Sequence, residues 1–156
     1  VEYTYGNTRV INVGTQNLIT TKFASGNGNL ESSKYGNGFT LGYLYDAYDR
    51  VTSITKNTAT AYLFTYDSRG NLARITDKSN GSDLVTSLSY DIGDRLIKKS
   101  TSDGSEFRYF YDNMNRNTGP GYTFSGQIKS AYYIYGDDNR MHFCFRMEES
   151  HMNMTR

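Results

Sequence analysis

Four aspartates, Asp46, Asp67, Asp91 and Asp112, recur at matched positions along the chain, and paired carboxylates are the usual equipment for breaking glycosidic bonds. That chemistry needs two carboxyl groups facing each other at roughly 5–9 Å across one bond, an arrangement that arises once in a molecule. Here the same residue type returns at the same register in four successive segments, which is how a turn device behaves, so a structural role is expected. His142 and His151 lie nine residues apart with Cys144 between them, and this is not a recognisable metal spacing. Asp137-Asp138-Asn139 lacks the remainder of a calcium loop and reads as an ordinary turn. There is no Gly-x-Ser-x-Gly elbow, no Gly-rich phosphate loop ending in Lys and no His-Glu-x-x-His. The sequence therefore predicts a non-enzyme without cofactor or metal.

The aspartates belong to a longer pattern. With Tyr as origin, five stretches align: Tyr45-Asp46-Ala47-Tyr48-Asp49-Arg50, Tyr66-Asp67-Ser68-Arg69-Gly70-Asn71, Tyr90-Asp91-Ile92-Gly93-Asp94-Arg95, Tyr111-Asp112-Asn113-Met114-Asn115-Arg116 and Tyr135-Gly136-Asp137-Asp138-Asn139-Arg140. Their origins are 21, 24, 21 and 24 residues apart, a period that marks a repeat architecture. Two residues before each Tyr stands Tyr43, Phe64, Leu88, Tyr109 or Tyr133, on the same strand face by two-residue alternation. Six after it come Val51, Leu72, Leu96, Asn117 and Met141, of which only Asn117 is polar, so the return strand of the fourth unit is expected to be weaker.

Each unit reads as strand, short reversal, strand: Thr40–Tyr45 with Arg50–Lys56, Tyr62–Tyr66 with Asn71–Asp77, Thr86–Tyr90 with Arg95–Lys99, and Phe107–Tyr111 with its return. The Asp at each reversal is suited to accept hydrogen bonds from amides two residues on. Asp49, Gly70, Asp94, Asn115 and Asn139 are the residue types that tolerate positive φ. Arg50, Arg95, Arg116 and Arg140 are expected to lie over a neighbouring ring or meet an Asp, with a plain solvated edge position as the alternative. Lys56–Thr60, Asp77–Asp83 and Ser100–Gly104 supply the opposite turns.

The flanks are less regular. Tyr3 to Val10 resembles a contracted copy, and a degenerate turn is expected at Gly26-Asn27-Gly28-Asn29-Leu30. The fourth unit breaks at Gly119-Pro120-Gly121, with Pro120 expected in a turn or at an edge, and one further hairpin follows from Tyr122-Thr123-Phe124 to Ile128. Met141–Thr155 is compatible with helix or strand. The resulting division is a degenerate amino-terminal region at 1–40, a repeat sheet at 41–141, and an irregular tail or the start of a further strand at 142–156.

Composition narrows the partners. Seventeen basic against sixteen acidic residues leave a formal charge of +1, too little to attract nucleic acid or anionic lipid. Fifteen Tyr and eight Phe raise the aromatic share to 15%, which argues against disorder. Rings beside Arg are the best case for base stacking, but their fixed register favours ring-on-ring packing along a sheet. Carbohydrate binding is the open alternative, because Tyr ladders offer flat faces to sugar rings. No run approaches the roughly twenty apolar residues of a spanning helix, so membrane insertion is not expected. A single Cys excludes an internal disulfide, and the Val1 terminus carries no signal core, which leaves cytosolic and secreted chains, or an excerpt of a longer one, all open. Compact folding of 17.7 kDa would leave roughly 8,000 Å² accessible.

Tyr66-Asp67-Ser68-Arg69-Gly70-Asn71-Leu72 and Tyr90-Asp91-Ile92-Gly93-Asp94-Arg95-Leu96, with Gly28-Asn29-Leu30 and Tyr35-Gly36-Asn37-Gly38 upstream, resemble the tyrosine-aspartate (YD) or Rhs repeat family, whose pattern is Tyr-Asp-x-x-Gly-Arg-Leu. The resemblance implies an all-β fold of successive antiparallel hairpins in a curved, repeat-built sheet, a segment of a spiral shell. It implies a structural part of a secreted or cell-surface bacterial protein that encloses or presents a toxin or other polypeptide, with neighbouring repeats of the parent chain as partners. A surface adhesion or glycan-binding module is the other reading. Some members carry a self-cleaving Asp-Pro site, and this sequence has no Asp-Pro.

Overall fold

β-branched and aromatic residues in period-two alternation, punctuated by Gly, Asn and Asp, leave no segment with a helical stripe, and the computed structural model is all-β. It describes residues 6–124 and 127–148. Two compact units are present. The first takes the chain up to Thr65 together with Arg74–Asp83, and the second takes Tyr66–Ala73 and the chain from Leu84 onward.

The first unit holds β1 (Thr8–Val13), β2 (Gln16–Phe23), β3 (Leu30–Tyr35), β4 (Thr40–Tyr45), β5 (Val51–Lys56) and nearly all of β6 (Ala59–Tyr66), each antiparallel to the next. β7 (Leu72–Asp77) follows. The second unit holds β8 (Leu84–Tyr90), β9 (Leu96–Thr101), β10 (Glu106–Tyr111), β11 (Asn117–Phe124), β12 (Gln127–Tyr135) and β13 (Met141–Glu148), again antiparallel in chain order. The strands expected from the repeat register are present, β6, β8, β9 and β10 longer by one to three residues at their outer ends, and β5, β7 and β9 beginning one residue later than expected. Met141–Glu148 is strand rather than helix. Tyr3, the start of the contracted amino-terminal copy, the Ser125-Gly126 turn and His151 lie outside the described residues.

Alternation puts the repeat rings on one face. Tyr43, Tyr45, Phe64, Tyr66, Leu88, Tyr90, Tyr109, Tyr111, Tyr133 and Tyr135 are all half-buried, while the intervening Leu44, Thr65, Ser89, Phe110 and Ile134 are exposed. Among the described residues Ala61 is the one buried apolar side chain.

Two local expectations are corrected. β11 does not break at Gly119-Pro120-Gly121 but runs through it, with Pro120 opposite Tyr109 in the pairing with β10. The register with β12 runs from Gly121 to Phe124, so the position lacking an N–H stands at the end of that ladder, where its cost is least. Nor does Asn117 weaken the fourth return strand. Its side-chain oxygen accepts the Gly119 amide at 2.8 Å, and β11 forms over eight residues. Tyr122–Phe124 belongs to this strand and forms the expected further hairpin with β12, Thr123 standing opposite Ile128 and Phe124 opposite Gln127.

Candidate functional site

The repeated motif builds one turn five times. In the first copy the Asp46 amide donates to the Arg50 carbonyl at 2.9 Å and the Asp49 amide to the Asp46 carbonyl at 3.1 Å, with Asp49 at φ 61°. That is a β-turn closed by a left-handed residue and a bulge, and the register shift falls between Leu44 and Tyr45. The same pair of backbone bonds closes the turns at Asp67, Asp91, Asp112 and Gly136, with Gly70, Asp94, Asn115 and Asn139 at φ 94°, 58°, 63° and 63°.

Each motif carboxylate is fully occupied by its own turn. Asp46 Oδ1 accepts the amides of Tyr48 (2.9 Å) and Arg50 (3.1 Å), while Oδ2 takes Arg50 Nε at 2.8 Å. Asp91 and Asp112 repeat this with Gly93 and Arg95, and with Met114 and Arg116. Asp67 accepts the amides of Arg69 and Asn71, and Asn71 Nδ2 replaces the guanidinium at 3.3 Å. The bonded Arg holds Asp46 and Asp91 below the usual carboxylate range. For Asp67 and Asp112 desolvation pushes the other way, yet the donated hydrogen bonds outweigh it and both are also lowered. In the fifth turn Gly136 has no side chain to serve, and Asp138 Oδ1 accepts the Arg140 amide instead at 3.0 Å. Arg140 is 84% exposed and faces Asp138 Oδ2 at 3.8 Å.

The motif tyrosines look backwards along the chain. Tyr45, Tyr90, Tyr111 and Tyr135 donate their hydroxyls to the carbonyls of Leu30, Leu72, Leu96 and Asn117 at 2.9, 2.9, 2.9 and 2.7 Å. Those acceptors are the first residues of β3, β7, β9 and β11, so each ring locks onto the return strand of the hairpin before it. Desolvation, the largest influence, raises the Tyr45 and Tyr90 phenols above their ordinary value and keeps them as donors. Arg95 and Arg116 lie over the Tyr111 and Tyr135 rings at 4.8 and 4.7 Å. Ring-on-ring packing between neighbouring strands is seen at Phe107 and Tyr122, 4.4 Å apart, whereas Tyr111 and Tyr135 are met by guanidinium planes.

Sequence reasoning missed the second use of the left-handed position. Its side chain accepts from the turn before: Asp49 Oδ1 from Asn27 and Asn29 at 2.6 and 2.7 Å, Asp94 from Asn71 at 2.7 Å, Asn115 from Arg95 at 2.8 Å, and Asn139 from Arg116 at 3.2 Å. Arg69 adds a bond to the Asp91 carbonyl at 2.9 Å. The signal was the presence of Asp or Asn in four of five copies where the repeat pattern has Gly. The turn itself also recurs outside the motif, at Tyr35–Phe39 and Thr101–Ser105, with Gly38 and Gly104 in the left-handed place.

Among the described residues no group of three or more His, Cys, Asp or Glu is placed to hold a metal ion, and no helix is long and apolar enough to cross a membrane. The teneurin YD-shell family model matches residues 1–155. The chain belongs to the teneurin YD-shell family. Its fold is found in the crystal structures of TcdB2-TccC3-Cdc42 and of TcdB2-TccC3, each 18% identical, with TM-scores of 0.64 and 0.61. These alignments cover 86% and 82% of this chain and 8% of each larger one, so the YD-shell segment spans a small fraction of those proteins. No curated protein matches the sequence.

Proposed function

We propose that this chain is a wall segment of a shell that encloses or presents another polypeptide, within a secreted or surface-exposed bacterial protein, and that it carries no catalytic function of its own. The observation that supports this most directly is the backward bond from four of the motif tyrosines, Tyr45, Tyr90, Tyr111 and Tyr135, to the head of a preceding return strand. The polar groups that recur in register are spent on joining one hairpin to the next, which is what a wall extended by repetition requires. The motif carboxylates that an enzyme would need are occupied within their own turns. Neighbouring repeats of the parent chain are then its immediate partners, and a toxin domain carried by that parent is the enclosed one.

The test is limited proteolysis of the complete parent protein. A downstream domain that resists protease while the shell is intact, and is digested once the shell is opened by acid or urea, supports enclosure. Equal digestion in both states overturns it.

A second reading, glycan binding at the cell surface, is favoured by a groove of about 880 Å³ in the first unit. Leu18, Lys34, Tyr35 and Asn37 line it, with the Tyr35 side chain 38% exposed. Titration with soluble sugars followed by intrinsic Tyr fluorescence tests this reading, and saturable binding lost in Tyr35→Ala is the result that favours it over a purely structural wall.

A further inference from the structure

Three Asn-Gly pairs occur in the chain, at Asn27-Gly28, Asn37-Gly38 and Asn80-Gly81, all within the first unit. This dipeptide is chemically labile. The amide nitrogen of the Gly, once deprotonated by solvent base, attacks Cγ of the Asn side chain and expels ammonia to leave a five-membered succinimide. Water then opens the ring, at Cγ to give aspartate or at the main-chain carbonyl to give isoaspartate. The reaction needs only water and a base, and Gly offers the nitrogen no side-chain shield. What decides the rate in a folded protein is whether the nitrogen and the carboxamide are free to meet.

The structure treats the three sites differently. At Asn37 the side-chain oxygen accepts the Phe39 amide at 3.0 Å, and the Gly38 amide, the nucleophile, donates to the Tyr35 carbonyl at 2.9 Å. At Asn27 both ends of the carboxamide are held, Oδ1 by the Asn29 amide at 3.2 Å and Nδ2 by Asp49 Oδ1 at 2.6 Å, while the Gly28 amide donates to the Ala24 carbonyl at 3.2 Å. Asn80 is exposed in a turn with Ser79, and its carboxamide, unlike those of Asn27 and Asn37, accepts and donates no hydrogen bond among the described residues. The bonds around it stop short of it: Ser79 is tied back to Asp77, and Lys78 pairs with Asp83 at 2.6 Å across the loop. Gly81 stands at φ 80° in open space.

We infer that Asn80 is the site at which this protein deamidates spontaneously, and that the fold protects Asn27 and Asn37 from the same chemistry. The product is a chain whose formal charge falls from +1 to zero, with the new carboxylate in the β7–β8 connection, where Lys78 is already committed to Asp83. Because the loop lies between strands rather than in them, the sheet register is unchanged by the added charge or by the extra backbone carbon of isoaspartate.

The experiment is incubation of the folded chain at pH 8 and 37 °C, with peptide mapping by mass spectrometry and enzymatic methylation of isoaspartate at intervals. Asn80 should convert at least about tenfold faster than Asn37, whose carboxamide must first be released from the Phe39 amide, and Asn27, held at both ends of its carboxamide, should be the slowest. In urea the three sites should converge, because protection then disappears. Asn80→Gln should remove the early acidic species from ion-exchange profiles. Similar folded-state rates at the three sites, or an early acidic species that survives Asn80→Gln, would overturn the assignment.

Discussion

The Tyr111 hydroxyl donates to the Leu96 carbonyl at 2.9 Å while Arg95, the residue before Leu96, spreads its guanidinium over the Tyr111 ring at 4.8 Å. Two adjacent residues of one hairpin thus hold the ring of the next from its tip and its face. Arg95 Nη1 also reaches Asn115 in the turn that follows Tyr111, at 2.8 Å. One ring and one arginine therefore transmit register from repeat to repeat.

Substitutions at Tyr111 should separate these contacts. Tyr111→Phe loses the hydroxyl bond alone and should cost about 0.5–1.5 kcal/mol. Tyr111→Ala loses the ring as well, and because the ring is half-buried the cost should be about 2–4 kcal/mol, toward the low side of large aromatic truncations. Urea midpoints at neutral pH read both; equal losses would mean that the ring contributes nothing beyond its hydroxyl.

The left-handed position gives a different ordering. Asn115→Gly relieves the backbone and forfeits the acceptor for Arg95, so the two effects should nearly cancel, to within about 1 kcal/mol. Asn115→Ala forfeits the acceptor and adds the strain of a β-carbon at positive φ, costing about 1–2 kcal/mol more than Gly. If Ala were as stable as Gly in thermal unfolding, φ would not be what selects the residue.

Glycine is required for space at one site and is dispensable at another. A β-carbon at Gly36 would stand 2.3 Å from the Asn17 carbonyl oxygen, whereas nothing lies within 4 Å of one at Gly26. Gly36→Ala should cost about 1–3 kcal/mol through forced backbone movement, and Gly26→Ala should leave stability within about 0.5 kcal/mol of the parent. Loss of stability in both variants would show that chain freedom rather than contact is at issue.

Acid should unfold the repeats through their turns. Asp46, Asp67, Asp91 and Asp112 all titrate below the ordinary carboxylate value of 3.8. Their stabilisation is complete above that value and is lost as pH falls through the lower folded values, where the native carboxylates take up protons. The urea midpoint should hold steady from neutral pH to about the unfolded value and drop below it. Asp91→Asn should lower the plateau and flatten the drop; an unchanged acid limb would remove these carboxylates as its cause.

The repeat was legible because its parts are local. Asp67 and the amides of Arg69 and Asn71 lie within four residues of one another, and the alternation of Phe64, Thr65 and Tyr66 needs only a strand to sort inside from outside. The all-β class and the hairpin order followed from those short-range patterns. Pro120 was misread because it was judged by its own propensity while pairing with β10 placed it in a strand, and Asn117 because its side chain finds a partner in the Gly119 amide two residues on.

From the chain alone came the period, the strands, the turn carboxylates and the residue types at positive φ, all properties of segments about six residues long. Tertiary structure decided which carbonyl each Tyr hydroxyl reaches, which turn each Arg or Asn stitches to the next, and how little of each ring is covered. Those depend on pairing between residues 15 to 23 positions apart, and lateral spacing between strands is set by the hydrogen-bonded ladder rather than by any residue's own preference.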